Sequence, residues 1–296
     1  MIKLGILDFD TSHVVEFTKR LNHKDITKDQ WVDGAQVVIG CPGESKLEPK
    51  KILEYTEMMK KLDVPLVDKP EAMIGKVDGM LIESVEGTPH YKRAKLFLEA
   101  GIPCFIDKPF TCSLADANKI ADLAEKKKTP VFSSSSLRYA PDLVQFVNDD
   151  KHGRIQGVLT WGPAPTHERN PGLYHYGIHP VEVLYTLMGP GCQHITCTHE
   201  KDVDVVTGVW KDGRVATVRG LRPYGDYGFT AFTEKGVKPV SIGTQFIYRE
   251  LLKKIVEFFE KKKAPLDVAV TVEMMAFIEA ALASQNNHGI GQKVAG

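Results

Sequence analysis

The chain lacks an excess of charge of either sign, a long apolar run, paired cysteines and a glycine-rich turn behind its first strand. Its 38 Lys and Arg balance its 38 Asp and Glu. That balance argues against nucleic acid or an anionic membrane engaged through bulk charge. The apolar runs are strand-length, so no bilayer-spanning segment is expected. The first strand pattern begins at Ile2, which predicts no signal peptide. Five cysteines, Cys41, Cys104, Cys112, Cys192 and Cys197, include no Cys-x-x-Cys pair. This excludes a zinc ribbon or a disulfide framework, and predicts reduced thiols and a cytoplasmic location.

What is present is an ordinary globular composition over 296 residues, enough for two domains with real cores. Short apolar runs at Lys3–Leu7, Gln36–Ile39, Gly79–Ile82, Pro103–Ile106 and Val131–Ser133 alternate with helical periodicity. The clearest helices are Pro49–Leu62, Pro89–Ala100 and Leu114–Lys127. Strands separated by helices of this length predict βαβ units and an α/β, doubly wound parallel sheet. The pattern then changes. After a helix at Pro141–Asn148, a strand at Ile155–Trp161 and a helix from about Tyr174 to Met188, five strand-like runs follow without intervening helices. They predict a C-terminal α+β domain with a large, mainly antiparallel sheet, closed by helices at Phe246–Lys262 and Val268–Ser284. The expected domains are 1–135 and 136–296, with the last helix free to pack back on the first.

The most informative stretch is Gly101–Phe110, a buried strand ending abruptly on Asp107-Lys108-Pro109. In a parallel sheet the strands' carboxyl ends form the ligand crevice. Proline restricts Lys108 and so fixes its direction, and partial desolvation would suit its ammonium to proton transfer. The same triplet at Asp68-Lys69-Pro70 lacks such a context and reads as a loop with a proline-started helix. Behind the first strand stands Asp8-Phe9-Asp10-Thr11-Ser12-His13, where a dinucleotide fingerprint would place glycines. Thr11 and Ser12 offer hydroxyls and amides to a phosphate, while Asp10 or Thr11 equally suits a helix N-cap. Ser45 and Lys46, after the second strand, suit a ribose phosphate better than an acid would, favouring NADP over NAD, or no dinucleotide at all. Ser84 and Glu86 follow the third strand at the same crevice, with His90 opening the next helix.

In the second half, His175, His179 and Glu182 stand at i, i+4 and i+7, which on a helix is one face. Such a face suits proton transfer, metal binding or plain solvent exposure. Gly177 inside it marks a close approach. Arg138 and Tyr139, at the junction, suit a polar or anionic part of a substrate, and Tyr176 lies beside the histidines.

Together these features resemble the Gfo/Idh/MocA oxidoreductase family, the glucose–fructose oxidoreductase and inositol dehydrogenase group. The resemblance rests on Val77-Asp78 before the third strand, Pro89-His90 through Gly101-Ile102-Pro103, Asp107-Lys108-Pro109, the Gly177-x-His179 helix and Glu279–Ser284. It implies an NAD(P)-dependent dehydrogenase that moves a hydride between nicotinamide and a hydroxyl of a sugar or polyol. Lys108 and His179, with His175 as relay, would be catalytic. Phe9, Asp10, Thr11, Ser12, His13, Ser84, Glu86, His90, Asp107, Lys108 and Pro109 would line the cofactor, NAD or NADP. Arg138, Tyr139, Tyr176 and Glu182 would meet the substrate. The departures are equally plain: the fingerprint glycines are replaced, and His175 and Glu182 stand where the family usually has aspartates. The rival readings are a lyase or glycoside hydrolase and a non-catalytic sugar-binding paralogue. No metal is expected, the alternative being one held by His175, His179 and Glu182. A homodimer or homotetramer through the C-terminal sheet is expected, with neither nucleic acid nor membrane as partner.

Overall fold

Strand-length apolar runs, four of the five stopped by an acid or a proline, build the first of two sheets. In the computed structural model, which describes residues 1–295, the first part runs β1 (Ile2–Leu7), α1 (His13–Asn22), β2 (Ala35–Cys41), α2 (Pro49–Lys61), β3 (Gly79–Ile82), α3 (His90–Glu99), β4 (Cys104–Ile106), α4 (Leu114–Lys127) and β5 (Val131–Phe132). The five strands are ordered β2-β1-β3-β4-β5 and all pair in parallel. β3 and β4 are buried throughout, as a sheet covered on both faces requires. The parallel, doubly wound sheet read from the sequence is therefore present.

The second part runs α5 (Pro141–Asn148), β6 (Ile155–Pro163), α6 (Ile178–Met188), β7 (Cys192–Glu200), β8 (Val203–Trp210), β9 (Val215–Leu221), β10 (Gly228–Thr233), β11 (Gly236–Ser241), α7 (Ile247–Lys261), α8 (Val268–Asn286) and β12 (Gln292–Lys293). Its seven strands are ordered β11-β10-β6-β9-β8-β7-β12. Only β6 and β9 pair in parallel, and the rest are antiparallel. α6 packs across β6 and β9. β12 was not expected from the sequence, being only two residues long.

The chain divides into two compact units. The first comprises Met1–Thr111, Ala115–Ser134 and Tyr248–Val268, and the second comprises Cys112–Leu114, Ser135–Ile247 and the chain from Ala269 onward. The helix that joins the first unit is thus α7, the penultimate one, rather than the last. Its apolar positions explain this: Phe259 lies where a Cβ on Gly79 would come within 2.3 Å, and Phe258 packs 5.7 Å from Phe132.

One expectation needs correction. α8 is 19 residues long, with mean hydropathy 1.4 over its most apolar window, so by length and composition it can cross a membrane. Polar residues interrupt it in sequence, which is why no long apolar run was visible. Half of that window is buried within the structure, and Phe277 packs edge-on against Tyr185 in the core of the second unit.

Candidate active site

Register places three acids side by side in the first unit. Leu7 pairs with Ile82 and Ile82 with Ile106 on adjacent parallel strands, so the residues that follow each strand, Asp8, Glu83 and Asp107, form a row at the carboxyl edge. Adjacent strands lie about 4.8 Å apart, so three ionised carboxylates there repel strongly without counter-charges. All three are fully buried.

Each acid is handled differently. Asp8 accepts hydrogen bonds from Ser84 Oγ and from Arg93 Nε, the latter at 3.0 Å. Burial still pushes its carboxyl above the ordinary value, against the pull of Arg93. Asp107 Oδ2 lies 2.9 Å from His13 Nδ1 and 3.5 Å from Lys108 Nζ. Burial alone would raise Asp107, but the His13 and Lys108 charges outweigh it and hold the carboxyl below the carboxylate range. Glu83 Oε2 lies 3.7 Å from His13 Nδ1, and burial pushes Glu83 up to about 7. Burial disfavours a charged His13, yet Asp107 above all carries the imidazole well above 6.5.

The turn behind β1 keeps the shape of a fingerprint while changing its chemistry. Asp8 has φ +67°, the left-handed conformation that the first glycine supplies without cost. Gly43 makes room for it, since a Cβ there would meet Asp8 Oδ1 at 1.9 Å. Asp10, at the second glycine position, accepts from the Val85 N–H at 2.9 Å and from Ser45. Burial nevertheless raises Asp10 to about 6. Both carboxylates are thus tied to neighbouring segments. Ser12, exposed and making no capping bond, stands at the N-terminus of α1. A pyrophosphate fits such a helix end, with Ser12 and the first-turn amides in place of the glycine backbone.

Several expected cofactor contacts need correction. Phe9 is fully buried, its ring lying where a Cβ on Gly40 would come within 2.6 Å, so its side chain belongs to the core. Both ring nitrogens of His90 face backbone carbonyls, Phe110 at 3.0 Å and Ser84 at 2.9 Å. Burial keeps His90 below its ordinary value, and its work is to brace the segment after Lys108. His13 and Asp107 face each other. Ser45 donates to Asp10 and accepts from the Glu48 N–H, so a ribose-phosphate role is not what its hydrogen bonds serve. Thr11, Ser84, Glu86, Lys108 and Pro109 lie on the loops at the same sheet edge, and the Lys108–Pro109 bond is cis. The second triplet behaves as expected: Pro70 starts a short 3-10 helix, Pro70–Met73.

In the second unit, Ser135 Oγ lies 2.6 Å from His179 Nδ1 and accepts from the Leu137 N–H at 3.2 Å. Ser135 Oγ can donate to Nδ1 or accept from it, so the pair fixes the orientation of the imidazole and serves either tautomer. The His179 ring is edged by Tyr176 and Tyr227, at 5.7 and 5.6 Å. Glu182 accepts from Arg138 Nε and from the Ser135 N–H at 3.3 Å. Glu182 and Arg138 therefore hold each other, which corrects the reading of Glu182 as a substrate contact. The helix also starts late. Tyr176 has φ +56° and α6 begins only at Ile178, so His175 lies off the helix and shares no face with His179 and Glu182. His175 packs instead against His167 and Tyr176. Among the described residues these three do not gather as metal ligands. The close approach at Gly177 is real: a Cβ there would lie 2.7 Å from Leu173 Cα. Tyr139 is half-buried beside Arg138.

Comparison with known proteins agrees with this architecture. Residues 45–135 match the model of the oxidoreductase family with an NAD-binding Rossmann fold, GFO_IDH_MocA. No curated protein matches the sequence. The whole chain is similar to GenD2 of gentamicin A biosynthesis, solved in complex with NAD, at 12% identity and TM-score 0.80, covering 100% of this chain and 97% of that one. It is similar to myo-inositol 2-dehydrogenase from Lactobacillus plantarum, at 14% identity and TM-score 0.80 over 99% of both chains. It is also similar to a myo-inositol dehydrogenase from Corynebacterium glutamicum, at 14% identity and TM-score 0.77, over 100% of this chain and 99% of that one. The whole chain shares its fold with these dehydrogenases, and its residues 45–135 match the model of the NAD-binding Rossmann oxidoreductase family. The resemblance read from the sequence is borne out.

Proposed function

We propose that the chain is an NAD(P)-dependent dehydrogenase acting on a CH–OH group of a sugar, polyol or related small molecule. The observation that carries this is Lys108, set at the carboxyl end of β4 beside the buried Asp107, in a segment that matches an NAD-binding oxidoreductase family. The bound dinucleotide supplies a hydride acceptor or donor. The protein's residues do the rest. Ser12, Thr11 and the α1 amides hold phosphate, and Ser84 and Glu86 line the same edge. Lys108 orients and polarises the hydroxyl oxygen. His179 moves the hydroxyl proton through Nε2, its ring fixed by Ser135. His175, Arg138, Tyr139 and Tyr176 surround the polar part of the substrate, Arg138 being anchored by Glu182.

Turnover of a polyol panel with NAD and NADP tests this. Lys108→Ala and His179→Ala each lower kcat/KM by about 10²–10⁴-fold. Wild-type rates retained in both variants would refute the assignment. Five cysteines outside any disulfide and a balanced charge support a cytoplasmic location without nucleic-acid or membrane partners. Fractionation of the source cells that puts the chain in a membrane pellet would count against it. The open face of the second sheet carries Val209, Val215, Phe232 and Val237, 39 to 59% exposed, and supports a homodimer or homotetramer formed there. Light scattering that returns a monomer at micromolar concentration would exclude that assembly.

A further inference from the structure

The row of acids at the sheet edge contains more buried charge than hydride transfer needs. Glu83 and Asp107 have no aligned hydrogen bond to any of their four oxygens, and neither has His13 Nδ1, although all lie within 4.8 Å of one another. Two buried carboxylates that crowd one imidazole nitrogen without a well-aligned hydrogen bond are rare in folded proteins. His13 stands at the third fingerprint position, where a glycine would normally let helix and strand pack closely. Here the imidazole fills that space. Its ring stacks on Phe17 at 4.8 Å and meets Tyr248 of α7 edge-on at 4.9 Å, so its orientation is fixed from both sides.

We propose that His13 is a positioning residue for Lys108, acting through Asp107, and that the His13–Glu83–Asp107 cluster gains and loses one proton, carried by Glu83. Charge decides the arrangement. Asp8 is matched by Arg93. Two carboxylates, Glu83 and Asp107, then face an imidazolium and the Lys108 ammonium. Those four balance, so a divalent cation would add charge to a set already neutral. The other groups nearby are Tyr248 from α7, His90 from α3 and Asp10 behind β1, the last felt by Lys108. Because Asp107 is held ionised by His13, Lys108 has a permanent anion behind it. Glu83, with its pKa near 7, is the member that exchanges its proton near neutral pH. Below that point Glu83 is neutral and the cluster carries one negative charge fewer beside Lys108. Above it the second carboxylate is ionised.

The dehydrogenase reading enters only the kinetic part of the test. Nitrogen-15 NMR of histidine-labelled protein shows His13, assigned by loss of its signal in His13→Gln, protonated on both nitrogens between about pH 6 and 8. Infrared difference spectra show a carboxylic-acid band that fades with a midpoint about 7 and is absent in Glu83→Gln. In turnover, Glu83→Gln flattens the kcat profile near neutrality while cofactor KM stays within about threefold, and Glu83→Asp restores the profile. A neutral His13 across that range, or no band removed by Glu83→Gln, overturns the proposal. So does a stoichiometric divalent metal in protein never exposed to a metal column. If His13→Gln does not fold, the infrared measurement on wild type and Glu83→Gln stands alone. If no dinucleotide is turned over, both spectroscopic results still decide the point.

Discussion

Asp8 holds a backbone conformation that L-residues adopt at a cost of about 1–2 kcal/mol, and its carboxylate is buried as well. Arg93, Ser84 and the missing side chain of Gly43 make that tolerable. Asp10, two residues on, is buried as well. Its folded pKa is raised from 3.8 to about 6. Between those values the native state keeps a proton that the unfolded chain has released, so stability falls as pH rises through that window. The displacement corresponds to roughly 3 kcal/mol. Asp10→Asn removes the loss: urea unfolding at pH 7 against pH 4 shows a smaller stability decrease in the variant than in wild type. Equal decreases would refute the buried, raised carboxyl. Lys108 and His179 were legible as site residues because each stands at an element boundary beside proline or glycine. Ser135 was visible only as part of a serine run, and nothing in a linear sequence joins it to His179, 44 positions away. Arg93, 85 positions from Asp8, was hidden for the same reason.

At the scale of elements, periodicity and punctuation carried most of the information. β3, α4 and α5 have the limits that their apolar spacing and flanking turns predict. α6 differs because an L-residue with a side chain takes up the left-handed backbone conformation. The apolar pattern continues through Tyr174–Gly177, but Tyr176 turns left-handed and Gly172–Tyr174 forms a separate 3-10 turn. The histidine face expected at i, i+4 and i+7 is lost with that turn. What remains is His179 in the first turn of α6, with Glu182 one turn on and occupied by Arg138. A metal centre on this helix is thereby lost as a reading. Parallel register is what a sequence shows least. The alignment of Leu7, Ile82 and Ile106 makes neighbours of three acids that text alone scatters over 100 residues.

For the whole molecule, alternating strands and helices followed by consecutive strands foretold both sheets, and the fold matches along the entire chain. Function depends on whether an acid-bearing turn still accepts a dinucleotide. We propose that it does, because Asp8 and Asp10 are bonded to Arg93, Ser84, Val85 and Ser45, and exposed Ser12 stands at the helix end. The direct measurement is a fluorescence titration of the purified chain with NADH and NADPH, repeated with Ser12→Asp. Saturable binding of at least one dinucleotide, one per chain, weakened about tenfold or more by the added carboxylate, is the predicted result. No binding of either form by the wild-type chain would contradict the central claim.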